Sequence, residues 1–160
     1  MIPKPNLIRL ATPILACGVT TVIIYSQTPV ITPASVEEKA IAVAFFRYQL
    51  QQRSVERKWK VFYLAWGVDP LAAPEEGVNA FEDHTPAVKK FIKSEYDEEK
   101  IKKEGGLVLG VAEIKQSTET EAAVEGYSFR LAYEAQGYRC QLARENGKWL
   151  VRSCKATWIA

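Results

Sequence analysis

The side chains best suited to acid–base, nucleophilic or metal chemistry in this 160-residue sequence are one histidine, three cysteines and scattered carboxylates. One pairing stands out: Asp83 and His84, immediately ahead of Thr85 and Pro86. A carboxylate beside an imidazole could serve as base and acid in a pocket. The plainer reading, a loop pair that solvates or caps a helix start at Thr85, is preferred, because a general base needs partner geometry that one dipeptide does not supply. One histidine and two separated cysteines fall short of a metal-ligand set. No Gly-x-Ser-x-Gly elbow is present to expose a serine nucleophile. Gly105-Gly106 is followed by a strand pattern, the wrong order for a helix N-terminus to cradle phosphate, so no cofactor is implied.

Cys17 falls within an apolar run, which leaves Cys140 and Cys154 as the pair able to join in an oxidising compartment. They flank the C-terminal hairpin. With Asn146-Gly147 as a two-residue loop, Cys140 stands opposite Ser153 and Cys154 points to the other side of the sheet. With Glu145-Asn146-Gly147 as a three-residue turn and a bulge, the two share a face on a diagonal. Neither register favours a bond, so two reduced, semi-buried cysteines are expected.

The elements that must position these residues begin with the apolar run LATPILACGVTTVIIY, residues 10–25, which carries no charge. Leu10, Ile14, Leu15, Val19, Val22, Ile23, Ile24 and Tyr25 make it a membrane anchor in contact with lipid. At sixteen residues it is short against the roughly 20 a bilayer core asks for, so neighbouring residues, tilt or a thinned bilayer must help. Pro13 and Gly18 are tolerated in such a span. A cleaved secretory signal ending near Ser35, a lipoprotein signal at Cys17 and a buried helix of a soluble protein are the competing readings. Lys4 and Arg9 precede the run, and the next basic residue is Lys39. The positive-inside tendency therefore keeps the N-terminus cytoplasmic and exports the rest, as in a bacterial-type inner-membrane protein.

Of 21 basic residues two lie before Ser35, leaving 19 against 19 acidic ones, so the exported part is formally neutral. That argues against nucleic acid as a partner, because phosphate neutralisation needs a basic excess. The chain divides into a flank and anchor over 1–30, a linker over 31–34 and one domain over 35–160.

Within the domain, Ser35 and Glu38 have capping-box spacing and open a helix. Ile41, Phe45 and Tyr48, then Val55, Trp59, Phe62 and Trp66, recur at helical spacing, which predicts helix to Gly67 and Pro70. An acidic, proline-rich loop follows, with one short element near Val78–Phe81. Thr85-Pro86 predicts a further helix with Val88, Ile92 and Tyr96 inside, ending in the charged run 97–104 and closed by Gly105-Gly106. After those glycines the period becomes two. LVLGVAEIK, AAVEGYSFRLAYE, YRCQLAR and KWLVRSCKATW predict four strands, the last three in an antiparallel meander. Tyr127, Phe129, Leu131 and Tyr133 share one face.

Helices first and an antiparallel sheet second make the domain α+β. The long first helix, the acidic loop, a further helix and the terminal Asn-Gly-Lys-Trp149-Leu-Val hairpin resemble the NTF2-like (cystatin-like cone) superfamily over roughly residues 35–158. The resemblance implies helices packed on a curved antiparallel sheet of about four strands, with a pocket at the wide end. The layout of one span and an exported domain is similar to VirB8-type components of secretion and conjugation machinery. It implies a non-enzymatic subunit that scaffolds a multi-protein envelope complex. The alternatives are a small-molecule-binding protein or isomerase/dehydratase-type enzyme using the cone's pocket, and an accessory subunit of a respiratory or photosynthetic membrane complex. Arg139, Arg144, Lys148, Arg152 and Lys155 make the terminal hairpin basic and mark it as a partner surface.

Overall fold

A computed structural model describes residues 34–68, 71–131 and 133–160. The anchor expected over residues 10–25 lies outside the described residues. No helix among the described residues is long and apolar enough to cross a membrane. The elements run α1 (Val36–Ser54), β1 (Val61–Trp66), β2 (Leu71–Ala72), α2 (Glu75–Asn79), β3 (Ala87–Lys90), a 3-10 turn (Lys93–Glu95), α3 (Glu98–Glu104), β4 (Gly106–Gln116), β5 (Glu121–Phe129), β6 (Ala135–Glu145) and β7 (Lys148–Ile159).

The start of α1 is as the sequence predicts: the Ser35 side chain accepts from the Glu38 amide at 3.1 Å and the Glu38 carboxylate accepts from the Ser35 amide at 2.7 Å. The capping box satisfies two of the helix's orphan donors. The expected continuation to Trp66 is overturned. The helix stops at Ser54, Arg57 takes a positive φ of 53°, and VFYLAW forms β1. Helical spacing of Val55, Trp59, Phe62 and Trp66 misled because β1 is covered on both sides, so its apolar residues do not alternate with polar ones. Phe62 and Leu64 face α1 in one cluster, while Ala65 and Tyr63 join a second cluster on the other side.

The same strand overturns the expected sheet. Seven strands form a mixed sheet in the order β2-β1-β4-β5-β6-β7, with β3 also beside β1, in place of about four antiparallel ones. β1 runs parallel to both β3 and β4. Strands now interleave with short helices before the meander, so the helices-then-sheet segregation behind the α+β reading does not hold. The helix expected after Thr85-Pro86 is replaced: that peptide bond is cis and leads into β3, and only the charged run 97–104 is helical. α3 is capped at Asp97, whose carboxylate accepts from the Glu99 and Lys100 amides, and it ends at Gly105 with φ 65°. The last three strands, β5 to β7, form the antiparallel meander the sequence predicts, and β4 extends it by pairing antiparallel with β5.

The sheet has two unlike faces. On the helix face, Ile41, Phe45, Phe46 and Leu50 of α1 pack on Phe62, Leu64, Leu109, Val111, Val124 and Leu142. Among the described residues the opposite face is covered at one end only, where Phe91 and Ile101, with Tyr96 beside them, close on Val108 and Ala65.

The terminal hairpin turns through Asn146 and Gly147, both at positive φ, with Glu145 opposite Lys148. This is the two-residue loop, yet Cys140 stands opposite Cys154 and the two are bonded, which corrects the expected reduced pair. A bulge between Gln141 and Leu142 leaves Arg152 as an extra residue in β7 and shifts the register by one. One inserted residue moves every later side chain to the other face, which places Cys154 beside Cys140.

Candidate functional site

A single row of side chains crosses the open face in register: Ala65 in β1, Gly110 in β4, Tyr127 in β5, Gly137 in β6 and Trp158 in β7. The two glycines leave room that the aromatics take. A side-chain carbon at Gly110 would fall within the Tyr127 ring, and one at Gly137 would collide with the Trp158 indole. Each ring therefore lies flat across a neighbouring glycine and covers bare backbone. On the helix face the converse holds at Gly126, where the tip of Phe45 occupies the space and the Gly110 carbonyl lies 2.8 Å from the same point.

Trp158 reaches the open face because of a second bulge. Tyr138 pairs with Ala156 and Gly137 with Trp158, so Thr157 is the extra residue. Without it Trp158 would fall on the helix side. A third bulge sets Ala112 between Val111 and Glu113 in β4. Tyr127 is fixed from the other end: its hydroxyl donates to the Gly67 carbonyl at 3.0 Å, and the Gly67 amide donates to the Val111 carbonyl at 2.7 Å.

Between these rings lies a groove of about 430 Å3, lined by Val68, Ala112, Glu125, Tyr127, Phe129 and Trp158 among others. Val68 is 82% exposed and Trp158 50% exposed, an unusual state for large apolar groups gathered in one place. Tyr127 and Phe129 stack with ring centroids 6.0 Å apart and form the wall toward the covered end. Glu125 is the carboxylate among the described lining residues, and Arg139 holds it at 2.6 Å, so its charge is compensated. A site of this size with apolar walls and one paired carboxylate is suited to seating one or two apolar side chains.

The residues singled out in the sequence lie elsewhere. Asp83 is exposed. His84 packs edge-on against Phe62 and Phe81, and its Nδ1 lies 2.8 Å from the Pro86 carbonyl, so it holds the turn into β3. The two are not brought to the groove. No cluster of three or more His, Cys, Asp or Glu poised to hold a metal occurs among the described residues. Of the basic hairpin residues, Arg144 pairs with Glu37 at 3.3 Å and Arg152 with Glu145, whereas Lys148 and Lys155 have no ion-pair partner among the described residues. Trp149 is buried on the helix face, where its indole donates to Glu37 at 2.6 Å.

The groove residues other than Tyr127 and Phe129 escaped the sequence reading. Their assembly depends on bulges at Ala112 and Thr157, which period-two counting passes over. The available signal was the glycine in each of LVLGV, VEGYS and AQGYR, since a strand-interior glycine marks close approach or a bulge. Comparison of the chain with protein-family models, with characterised proteins and with solved structures finds no match.

Proposed function

We propose that this chain is a non-enzymatic, single-pass membrane subunit whose folded domain docks a partner protein within a multi-protein envelope complex. The observation that carries the reading is the groove between Tyr127 and Trp158, an apolar recess on the open sheet face. Partner sites characteristically centre on a few large aromatic anchors inside a polar rim, and Glu113, Glu125, Arg139 and Lys155 supply such a rim. The Cys140–Cys154 bond supports an extracytoplasmic setting, because disulfides persist in oxidising compartments. The uncharged run over residues 10–25 supplies the tether.

The reading predicts that full-length chain, extracted from its native membrane in mild detergent, migrates on size exclusion with other subunits. Trp158→Ala should release it from them while its circular dichroism is unchanged. A wild-type chain that elutes as a lone monomer, or a Trp158→Ala chain that stays in the assembly, would count decisively against the groove.

A further inference from the structure

We infer that the segment docked beside the groove is an extended, acidic strand that adds to the free edge of β7. This rests on the reading of the groove as a partner site and names the partner's chemistry. Among the described residues β7 ends the sheet, and β6 is its single neighbouring strand. A twelve-residue terminal strand presents a row of backbone donors and acceptors on its outer side, the template used when a peptide is added to a sheet.

Charge decides among occupants. β7 contains Lys148, Arg152 and Lys155 and no acidic residue, and with Arg152 held by Glu145 the cations without an ion-pair partner among the described residues are Lys148 and Lys155. Lys155 stands opposite Arg139 in the ladder, two like charges side by side on the open face. A second copy pairing β7 with β7 would set one basic strand against another. The chain's own first 34 residues carry Lys4 and Arg9 and no acid, so they too are mismatched. A lipid surface offers anionic headgroups but cannot hydrogen-bond a strand edge as a peptide does. An acidic strand meets both demands, and the same basic edge discourages self-pairing.

The register sharpens the partner's sequence. Lys155 and Trp158 both lie on the open face, and because Thr157 is the bulged residue they occupy successive open-face positions. A strand laid beside them would place a carboxylate next to Lys155 and, two residues away, an apolar side chain next to Trp158 and the groove. The recognised pattern is thus an acid and an apolar residue spaced by one intervening residue, repeated along an extended segment.

The test uses full-length chain in detergent micelles and a blocked octapeptide, Thr-Glu-Thr-Val-Thr-Glu-Thr-Val, followed by amide NMR. Expected are shifts and slowed exchange at the amides of 153–159, binding about tenfold tighter than that of the lysine-for-glutamate peptide at low salt, and reversal of that preference in Lys155→Glu. Methylating alternate peptide nitrogens should abolish binding. If the peptide shifts Tyr127 and Trp158 alone and tolerates N-methylation, strand addition is wrong and the groove reading stands. If β7 is protected but Trp158→Ala changes nothing, strand addition stands and the groove reading falls. Failure of the glutamate peptide to bind, prior pairing of β7 with a second copy or with residues 1–33, or binding confined to phosphatidylglycerol vesicles would each overturn the inference.

Discussion

The two faces of the sheet solve one problem in opposite ways. Both expose glycine backbone that must be covered, at Gly126 on one side and at Gly110 and Gly137 on the other. On the helix face the cover comes from a separate element, with Phe45 of α1 driven into the Gly126 gap. On the open face it comes from the sheet itself, with Tyr127 and Trp158 folded down across neighbouring strands. A foreign element closes its face completely, and Phe45 is fully buried. Rings lent by the sheet cover the backbone but leave a recess between them. The groove is thus a consequence of how that face is covered and is not a gap in the core.

The comparison breaks most sharply at Phe45. Phe45→Ala removes a buried ring that also fills the Gly126 gap, and should cost about 3–5 kcal/mol in denaturant unfolding. A loss no larger than that of a surface substitution would show that α1 does not close the helix face. The Cys140–Cys154 bond lies on the same face and closes a segment with a sequence separation of 14. Its reduction should lower stability by about 3 kcal/mol on loop-entropy grounds, read as a drop in Tm under dithiothreitol. An unchanged Tm would mean the bond is not formed.

Alanine at the two kinds of glycine sharpens the contrast. Gly126→Ala would press its new carbon on both the Phe45 ring and the Gly110 carbonyl, neither of which has room to retreat, so a loss of about 1–3 kcal/mol is expected. At Gly110→Ala the obstacle is the Tyr127 ring, which can swing toward solvent once its bond to Gly67 breaks. The expected cost is smaller, and a change in tyrosine fluorescence should accompany it. Equal losses at both sites would erase the distinction between a fixed and a movable cover. Trp158→Ala should cost less again, about 1 kcal/mol, since half of the indole is already exposed.

The two faces were not equally legible in the sequence. The capping box at Ser35, the αL closure at Gly105 and the four meander strands follow from local rules, because each is decided by residues a few positions apart. β1 did not, since a strand buried between two parallel neighbours shows both faces apolar and mimics a helix. The site was hidden for a related reason. Arg152 and Thr157 are each one residue too many for their ladders, and neither an arginine nor a threonine announces a bulge. The first insertion paired the cysteines and the second turned Trp158 to the open face.

The smallest effect concerns the covered end of the open face, where the cover is latched by polar contacts. Tyr63 donates to Glu104 and Tyr96 to Glu98. Burial, reinforced by those carboxylates, pushes both phenols up to about 12. A phenol that holds its proton more tightly when folded contributes stability that is complete below its unfolded pKa near 10 and is lost as pH rises toward about 12. The cover should therefore loosen between about pH 10 and 12, read as a loss of amide protection at residues 91–101. Absorbance at 295 nm should lose one late-titrating phenol in Tyr63→Phe and another in Tyr96→Phe. If neither substitution altered the late part of the titration, Tyr63 and Tyr96 ionising near 10, the segment around Tyr96 would not be closed over the sheet and that end of the open face would be bare.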